Sequence, residues 1–288
     1  MQILEGKDAK QSGLIRCSID APGGHRKTSL ATRVPEEWGE IVYVAADPTS
    51  PFLESVTPED RKRMHVIVPD GAAQRDPKTG QIIKTDWRKE GYEIAQTEWD
   101  KMYPKAGVFI WDTMTQTAEE MLRENARKNW FSEKGPVMGS NNPNIDPEQK
   151  YALPQEGDYR MVQQAMLQIV EWTVRIPMHV ICLFQQAMSE SSARTGEGLL
   201  FGPATVGTRG PRQIPNKFGA VFYLTIDQGP KSGQSGDTVV HLIPEEYHVA
   251  GLKSVQLDKI PPVKKIGKSP DDARNFWRWV LEMKQWTA

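Results

Sequence analysis

Short apolar runs alternate with amphipathic segments along most of the chain, and this pattern predicts an α/β fold. The runs lack the strict alternation of a half-exposed strand, which is typical of parallel strands buried on both faces of a sheet. Two late runs follow each other without a helix between them and predict antiparallel strands that extend the sheet. The expected strands occupy residues 14–19, 41–46, 64–68, 108–113, 178–184, 220–226 and 238–243.

Helical periodicity fills several of the intervals between these runs. Asp86 is placed to cap one helix, and Ser269 with Pro270 opens the last helix of the chain. The predicted architecture is therefore a mainly parallel sheet with helices on both faces, extended by antiparallel strands. The expected helices include residues 27–32, 86–103, 118–126, 158–175 and 269–286.

Three segments are expected to be irregular. Residues 1–12 are polar and predict an N-terminal arm, and residues 130–157 are rich in Gly, Pro, Asn and Ser and predict an insertion. Residues 187–217 are polar and glycine-bearing and predict a mobile loop. A chain of 288 residues suffices for one large α/β domain or two small ones.

Composition and charge narrow the class of protein. The 36 basic and 37 acidic residues give a net charge of −1, so no global basic field indicates nucleic acid, although a local patch is compatible with these numbers. Cys17 and Cys182 lie in apolar runs and predict buried thiols in a reducing compartment. The sequence shows neither a signal peptide nor an apolar run of membrane length, which favours a cytoplasmic protein without membrane contact.

The segment between the first strand and the first helix contains an altered phosphate-loop motif. This motif, Walker A, requires Gly, four free positions and then Gly-Lys-Ser/Thr. Lys27–Thr28 match its end, whereas Ala21 and Arg26 stand at its two glycine positions. Gly23 and Gly24 supply the remaining backbone freedom. On the motif alone, a plain Pro-Gly-Gly turn is an equally good interpretation.

In the functional interpretation, each position of this loop has a chemical role. Successive backbone N–H groups form a concave site for an anion. Lys27 reaches the terminal phosphates, and the Thr28 hydroxyl ligates Mg²⁺. Arg26 either adds charge against a phosphate or crowds the loop. The candidate nucleotide-binding residues are Gly23, Gly24, His25, Arg26, Lys27, Thr28 and Ser29.

Polar residues also end three of the predicted strands. Open α/β sheets bind ligands at the carboxyl ends of their strands, so Asp47, Asp112 and Gln185 are expected to meet the loop there. Asp112 stands where a Walker B acid would hold Mg²⁺, and Asp47 is a candidate base for an attacking water. Singly, each acid is better interpreted as a cap of the following helix. Together with Lys27–Thr28, they favour the functional interpretation.

The order and spacing of these elements resemble the RecA-like P-loop ATPases of bacteriophage genomes, which are related to single-strand annealing and recombination ATPases. The resemblance runs from about Gly13 to Leu257. Its elements are the phosphate loop 21–28, the strand ends 44–48 and 108–113, a sensor strand 179–186, and the loop 187–217 before a strand at 218–226.

This resemblance implies one RecA-like domain that binds ATP and Mg²⁺ and hydrolyses ATP. It implies action with single-stranded DNA in phage recombination, repair or replication, and assembly into homo-oligomers. The loop 187–217 would face the DNA, although an ordinary solvated loop is an equal alternative because Phe201 is its one aromatic residue. The implied roles are phosphate contact for Lys27, Mg²⁺ binding for Thr28 and Asp112, general base for Asp47, and phosphate sensor for Gln185.

Two departures from the family pattern keep other functions open. Both motif glycines are replaced, and the Lys-Arg pair that relatives donate across a subunit interface is reduced to Lys253 without a neighbouring Arg. A degenerate module with little or no hydrolysis, acting as a scaffold or assembly protein, is one alternative. A P-loop kinase is another, because residues 187–217 contain three arginines, the residues that kinase lids carry.

Overall fold

A computed structural model describes nine ranges of the chain. The predicted arm 1–12 lies outside them, as do residues 131–153 of the predicted insertion and residues 190–199 and 207–212 of the predicted loop. The described ranges are 13–47, 56–69, 86–130, 154–189, 200–206, 213–227, 236–242, 251–252 and 261–285.

The described residues contain ten strands that belong to one sheet. Their order across the main path runs from the tenth strand through the eighth, seventh, first, fifth, fourth and second to the third, with the sixth paired to the fifth and the ninth to the seventh. The strands are β1 (Arg16–Ala21), β2 (Glu40–Ala45), β3 (Met64–Ile67), β4 (Ala106–Asp112), β5 (His179–Ser189), β6 (Leu200–Pro203), β7 (Ala220–Ile226), β8 (Thr238–His241), β9 (Gly251–Leu252) and β10 (Val263–Ile266).

The centre of the sheet is parallel and one edge is antiparallel. Neighbouring strands from β7 through β1, β5, β4 and β2 to β3 run parallel. Strands β8 and β10 add antiparallel partners beyond β7, and β9 also pairs antiparallel with β7. The predicted architecture, a mainly parallel sheet extended by antiparallel strands, is therefore confirmed.

The helices largely follow the sequence periodicity, with two differences. The short helix Pro58–Lys62 was not predicted. The segment predicted as a single helix over 86–103 forms two helices, because the backbone at Thr97 is extended and ends the first of them. Asp86 caps the first of them as expected, accepting a hydrogen bond from the Lys89 backbone N–H at 3.0 Å. The α-helices are α1 (Lys27–Thr32), α2 (Pro58–Lys62), α3 (Trp87–Gln96), α4 (Trp99–Met102), α5 (Met114–Trp130), α6 (Glu156–Thr173) and α7 (Pro270–Gln285).

Helices cover both faces of the sheet and create two apolar layers. One layer packs α1 and α7 against the sheet, and the Trp277 indole N–H fixes the two helices by donating to the Leu30 carbonyl at 2.9 Å. The other layer packs α3, α5 and α6 against the opposite face. Cys17 and Cys182 are buried free thiols, as predicted. Because both faces are covered, functional groups can reach solvent only at the strand ends and edges.

Part of the segment predicted as a loop over 187–217 is regular structure. Strand β5 continues to Ser189 and pairs antiparallel with β6, with Gln186 opposite Pro203. A 3₁₀ turn at Pro215–Lys217 then leads into β7. The sequence did not indicate this pairing because the polar residues at the end of β5 have no hydrophobic alternation. The described part of the segment is thus anchored to the sheet.

Candidate nucleotide site

Three strand ends bring the predicted site residues to one edge of the sheet. Ala21 at the end of β1 lies opposite Gln185 of β5, and Asp112 at the end of β4 lies opposite Ala45 of β2. The Ala46 backbone N–H donates to the Asp112 carbonyl at 2.7 Å, which ties the ends of β2 and β4 together. The loop after β1 therefore opens beside the β4 acid, as the parallel topology requires.

The loop keeps an open shape although Arg26 replaces a glycine. Arg26 has φ 59° and ψ 25°, the left-handed conformation that glycine adopts most easily, and Gly24 has φ 77°. Side-chain atoms added at Gly23 or Gly24 would meet nothing within 4 Å, so space lies in front of both. The Arg26 backbone supplies the conformation of the missing glycine at a cost of about 1–2 kcal/mol.

The Lys27 ammonium is held by the loop itself. Its Nζ donates to the Ala21 carbonyl at 2.8 Å and to the Pro22 carbonyl at 3.1 Å, and the residue is only 9% exposed. Burial lowers the pKa of Lys27, whereas the carboxyl groups of Asp112 and Asp20 act in the opposite direction. Lys27 thus lies at the base of the loop, where an incoming anion could replace weak carbonyl acceptors.

Asp112 connects the loop to the middle of the sheet. Its Oδ2 accepts hydrogen bonds from the Thr28 hydroxyl at 2.6 Å and from the Tyr43 hydroxyl at 2.6 Å. Burial raises the pKa of Asp112 and Asp47 adds to that effect, while the bonds from Thr28 and Tyr43 and the charge of Lys27 lower it. Tyr43 was not predicted as a site residue; a hydroxyl inside the aliphatic run of β2 was its only signal.

Thr28 and Asp112 form an oxygen pair that fits Mg²⁺. This ion prefers oxygen ligands, keeps several waters and is commonly bound by one or two protein oxygens together with phosphates. The described ranges contain no group of three or more His, Cys, Asp and Glu side chains arranged to hold a metal. An ion at Thr28 and Asp112 would therefore need further ligands from phosphate and water.

The other predicted site residues surround this centre less closely. Asp47 is half-buried, and its backbone N–H lies 3.4 Å from the Asp112 carbonyl. Gln185 has an exposed side chain, and its backbone N–H donates to Thr115 Oγ1 at 2.9 Å. The His25 ring turns back to the Gly23 carbonyl at 2.9 Å. Of these, Asp47 lies close enough to the Asp112 carboxyl for its charge to help raise the pKa of that group.

The carboxyl group of Asp20 is buried near the site and was also not predicted from the sequence. Asp20 is 1% exposed in the central strand, its neighbours in register are Phe184 and Tyr223, and burial raises its pKa to about 8 while Lys27 lowers it. Among the described residues, Asp20 Oδ1 has no hydrogen-bond partner. The Tyr223 hydroxyl donates to Gln186 Oε1 at 3.3 Å, from the strand on one side of β1 to the strand on the other. The feature of the sequence that could have indicated this buried carboxyl group is an acidic residue within an apolar strand.

The described fold and site define an α/β protein with a phosphate-loop-like turn and an acid converging at one sheet edge. No protein-family model matches the sequence, and no curated protein matches it significantly. Matching solved structures include the RadB recombinase, with 13% identity, a TM-score of 0.43, and coverage of 89% of this chain and 88% of that one. They also include a KaiC-like protein from the hyperthermophilic archaeon Pyrococcus horikoshii OT3, with 9% identity, a TM-score of 0.43, and coverage of 89% and 87%.

Among the described residues, none of the helices is both long and apolar enough to span a membrane.

Proposed function

We propose that this chain is a Mg²⁺-dependent, ATP-binding protein of the RecA-like type that hydrolyses ATP. The observation that carries the proposal is the 2.6 Å bond between the Thr28 hydroxyl and Asp112 Oδ2, formed beside Lys27. This contact brings together a loop hydroxyl and a strand-end acid that are 84 residues apart. A structural turn would need only Gly23 and Gly24, whereas phosphate and Mg²⁺ binding need all three polar side chains.

The proposed roles follow from this geometry. Lys27 leaves the Ala21 and Pro22 carbonyls to bind the terminal phosphates, because a charged acceptor forms a stronger bond than a neutral one. Thr28 and Asp112 hold Mg²⁺, which neutralises charge that develops on the phosphates. Asp47, near the Asp112 carboxyl, is the candidate base that orients a water.

The role in DNA metabolism is supported by the sequence resemblance. We place the DNA-facing surface on the segment 187–217, whose described part is anchored through β6 to the end of β5. Because Gln185 and Gln186 lie in β5 directly before residue 187, a change at the phosphate site has a short covalent route to this segment. Phage recombination, repair or replication and assembly into homo-oligomers remain part of the proposal.

Titration calorimetry with a slowly hydrolysed ATP analogue and Mg²⁺ tests the nucleotide site. Lys27→Ala should lower affinity roughly 10- to 100-fold, the size of a lost charge-assisted bond. Lys89→Ala, an exposed lysine on α3, is the matched control and should leave affinity unchanged. Equal affinities of Lys27→Ala and the unchanged protein would overturn the proposal.

Turnover measurements separate an ATPase from a degenerate module. The replacement of a motif glycine by Arg26 is the observation that favours the degenerate alternative. The proposed enzyme releases phosphate from ATP, does so faster with single-stranded DNA, and loses turnover in Asp112→Asn. Binding without measurable phosphate release in the unchanged protein would instead support a scaffold or assembly role. Transfer of phosphate to an acceptor other than water would support a kinase.

A further inference from the structure

The carboxyl group of Asp20 is enclosed in the sheet directly before the phosphate-loop turn. Asp20 lies in β1, one residue before Ala21, whose carbonyl holds the Lys27 ammonium. It is 1% exposed, and its neighbours in register are Phe184 of β5 and Tyr223 of β7. Among the described residues, Asp20 Oδ1 has no hydrogen-bond partner. These surroundings favour the protonated, neutral form of the carboxyl group.

The hydrogen bonds of Lys27 agree with a neutral Asp20. Lys27 Nζ donates to the Ala21 carbonyl at 2.8 Å and to the Pro22 carbonyl at 3.1 Å. The described structure contains no ion pair between Lys27 and Asp20. A carboxylate would be a stronger acceptor than either carbonyl. Because the ammonium is bonded to neutral oxygens, its charge remains available to an anion that enters the loop.

Lys27 supplies the charge that favours ionisation of Asp20. Burial raises the pKa of Asp20 to about 8, while the Lys27 charge and a hydrogen bond from the Asp20 backbone lower it. The polar groups of the neighbouring strands are neutral or pair with one another. The Tyr223 hydroxyl donates to Gln186 Oε1 at 3.3 Å, and the His241 ring lies 5.2 Å from the Tyr223 ring. Ionisation of Asp20 therefore depends on the charge next to the loop.

An anion in the loop changes this charge. In the proposed function, the phosphates bind Lys27, so the Lys27 charge is shared with them and negative charge is added near Asp20. Mg²⁺ cancels only part of the charge of the polyphosphate. Both effects disfavour the Asp20 carboxylate, so the pKa of Asp20 rises further when the loop is occupied. A molecule whose Asp20 is ionised before binding then takes a proton from the solvent.

We propose that Asp20 is a positioning residue that couples binding of a polyphosphate in the loop to the uptake of a proton. The proposal rests on the proposed nucleotide function and adds a proton that the loop motif does not specify. The proton moves from the solvent to a carboxylate oxygen of Asp20. A neutral Asp20 leaves the full charge of Lys27 to the phosphates. Affinity is therefore highest while Asp20 is protonated and falls as the pH rises through the pKa of the empty protein.

Calorimetry in buffers of different ionisation enthalpy measures this proton uptake. The probes are the slowly hydrolysed ATP analogue with Mg²⁺ and inorganic tripolyphosphate, each titrated at pH 6 and pH 9. With the pKa of Asp20 at about 8 in the empty protein, binding at pH 9 should take up roughly half a proton or more, whereas Asp20 should contribute no uptake at pH 6. Between these two pH values, the unchanged protein should lose roughly 5- to 10-fold more affinity than Asp20→Asn.

Two variants assign the effect to this carboxyl group. Asp20→Asn is expected to fold, because Asn is neutral and close in shape to a protonated Asp, and it should abolish the Asp20 share of the uptake. Asp100→Asn, which changes an exposed carboxyl group on α4, is the matched control and should behave like the unchanged protein.

Infrared difference spectroscopy distinguishes Asp20 from Lys27 as the group that takes the proton. Addition of tripolyphosphate at pH 9 should increase the carbonyl band of a protonated carboxyl group. The increase should be absent in Asp20→Asn and present in Asp100→Asn. An amine has no such band, so proton uptake by Lys27 would appear in calorimetry without it.

The outcomes separate this proposal from the nucleotide function. If both probes bind through Lys27 but proton uptake is the same in Asp20→Asn and the unchanged protein, the coupling is wrong and the nucleotide function stands. An infrared carboxyl band that does not change on binding to the unchanged protein also overturns the coupling, whether or not Asp20→Asn folds. If neither probe binds at either pH, the nucleotide function fails and the coupling fails with it.

Discussion

Replacing Asp20 by Asn should change how the stability of the fold depends on pH. The Asp20 carboxyl is buried in β1, its Oδ1 has no hydrogen-bond partner among the described residues, and burial raises its pKa from 3.8 to about 8, with Lys27 opposing the rise. Burying an ionised carboxylate without sufficient partners is unfavourable. The folded state therefore keeps a proton that the unfolded state releases.

The magnitude follows from the two pKa values. Below pH 3.8 both states hold the proton, and Asp20 adds no pH dependence. As the pH rises from there to about 8, the unfolded state is favoured by proton release, and the free energy of unfolding falls by about 1.4 kcal/mol per pH unit. At pH 7 the accumulated loss is about 4 kcal/mol, a large share of the ~5–15 kcal/mol that stabilises a typical protein. Asn has no such proton to lose.

Urea unfolding at pH 5, 6 and 7, followed by fluorescence of the nine tryptophans, measures this effect. The stability of Asp20→Asn relative to the unchanged protein should increase by about 3 kcal/mol between pH 5 and pH 7. Ser18→Ala is the matched control, because the Ser18 hydroxyl is also buried in β1 and without a partner in the described structure but has no proton to release in this range. Its stability difference should stay constant. Parallel pH profiles for Asp20→Asn and the unchanged protein would refute the reasoning.

Three further substitutions test single features of the site and its frame by urea or thermal unfolding. Tyr43→Phe removes a hydroxyl bonded to the β4 acid and should lower the free energy of unfolding by about 1–2 kcal/mol; no change would mean that this bond adds nothing. Arg26→Gly relieves a left-handed backbone and should raise the melting temperature by about 2–4 °C, whereas a decrease would contradict the assigned strain. Gly39→Ala should cost more than ~2 kcal/mol, because Gly39 has φ 85° and an added Cβ would lie 2.4 Å from the Lys105 carbonyl oxygen. Gly157→Ala, with open space around it, is the control and should cost nothing.

Local patterns were sufficient for the buried strands and the longer helices. Strands β1, β2 and β4 have apolar residues on both faces because helices cover both sides of the sheet. The apolar composition of these runs therefore indicates their burial. His179 is packed within this core, since its ring stacks on Trp38 at 4.0 Å and its Nδ1 accepts from the Ile15 backbone N–H. Strand β10 was missed because it has two lysines and a single buried residue, Ile266.

The candidate site could be located from sequence, but its internal contacts could not. Lys27, Thr28 and Asp112 were predicted to meet because parallel strands end at the same edge of a sheet. Their partners at Asp20 and Tyr43 were not, since a polar residue in an apolar strand gives no indication of which neighbour it will face. Gln185 shows the same limit: it was predicted to follow the end of a strand, whereas β5 continues past it to Ser189 and its backbone N–H donates to Thr115 of α5.

The sequence by itself determined the order of the seven predicted strands and of the longer helices, the position of the loop between β1 and α1, and the acid at the end of β4. These features are local, because they depend on apolar runs, turn residues and caps that are close together in the chain. Only the tertiary structure decided that Arg26 would take a glycine-like conformation, with φ 59°. It also decided that Thr28 and Tyr43 would share one oxygen of Asp112, because strand order and packing set which distant side chains come into contact.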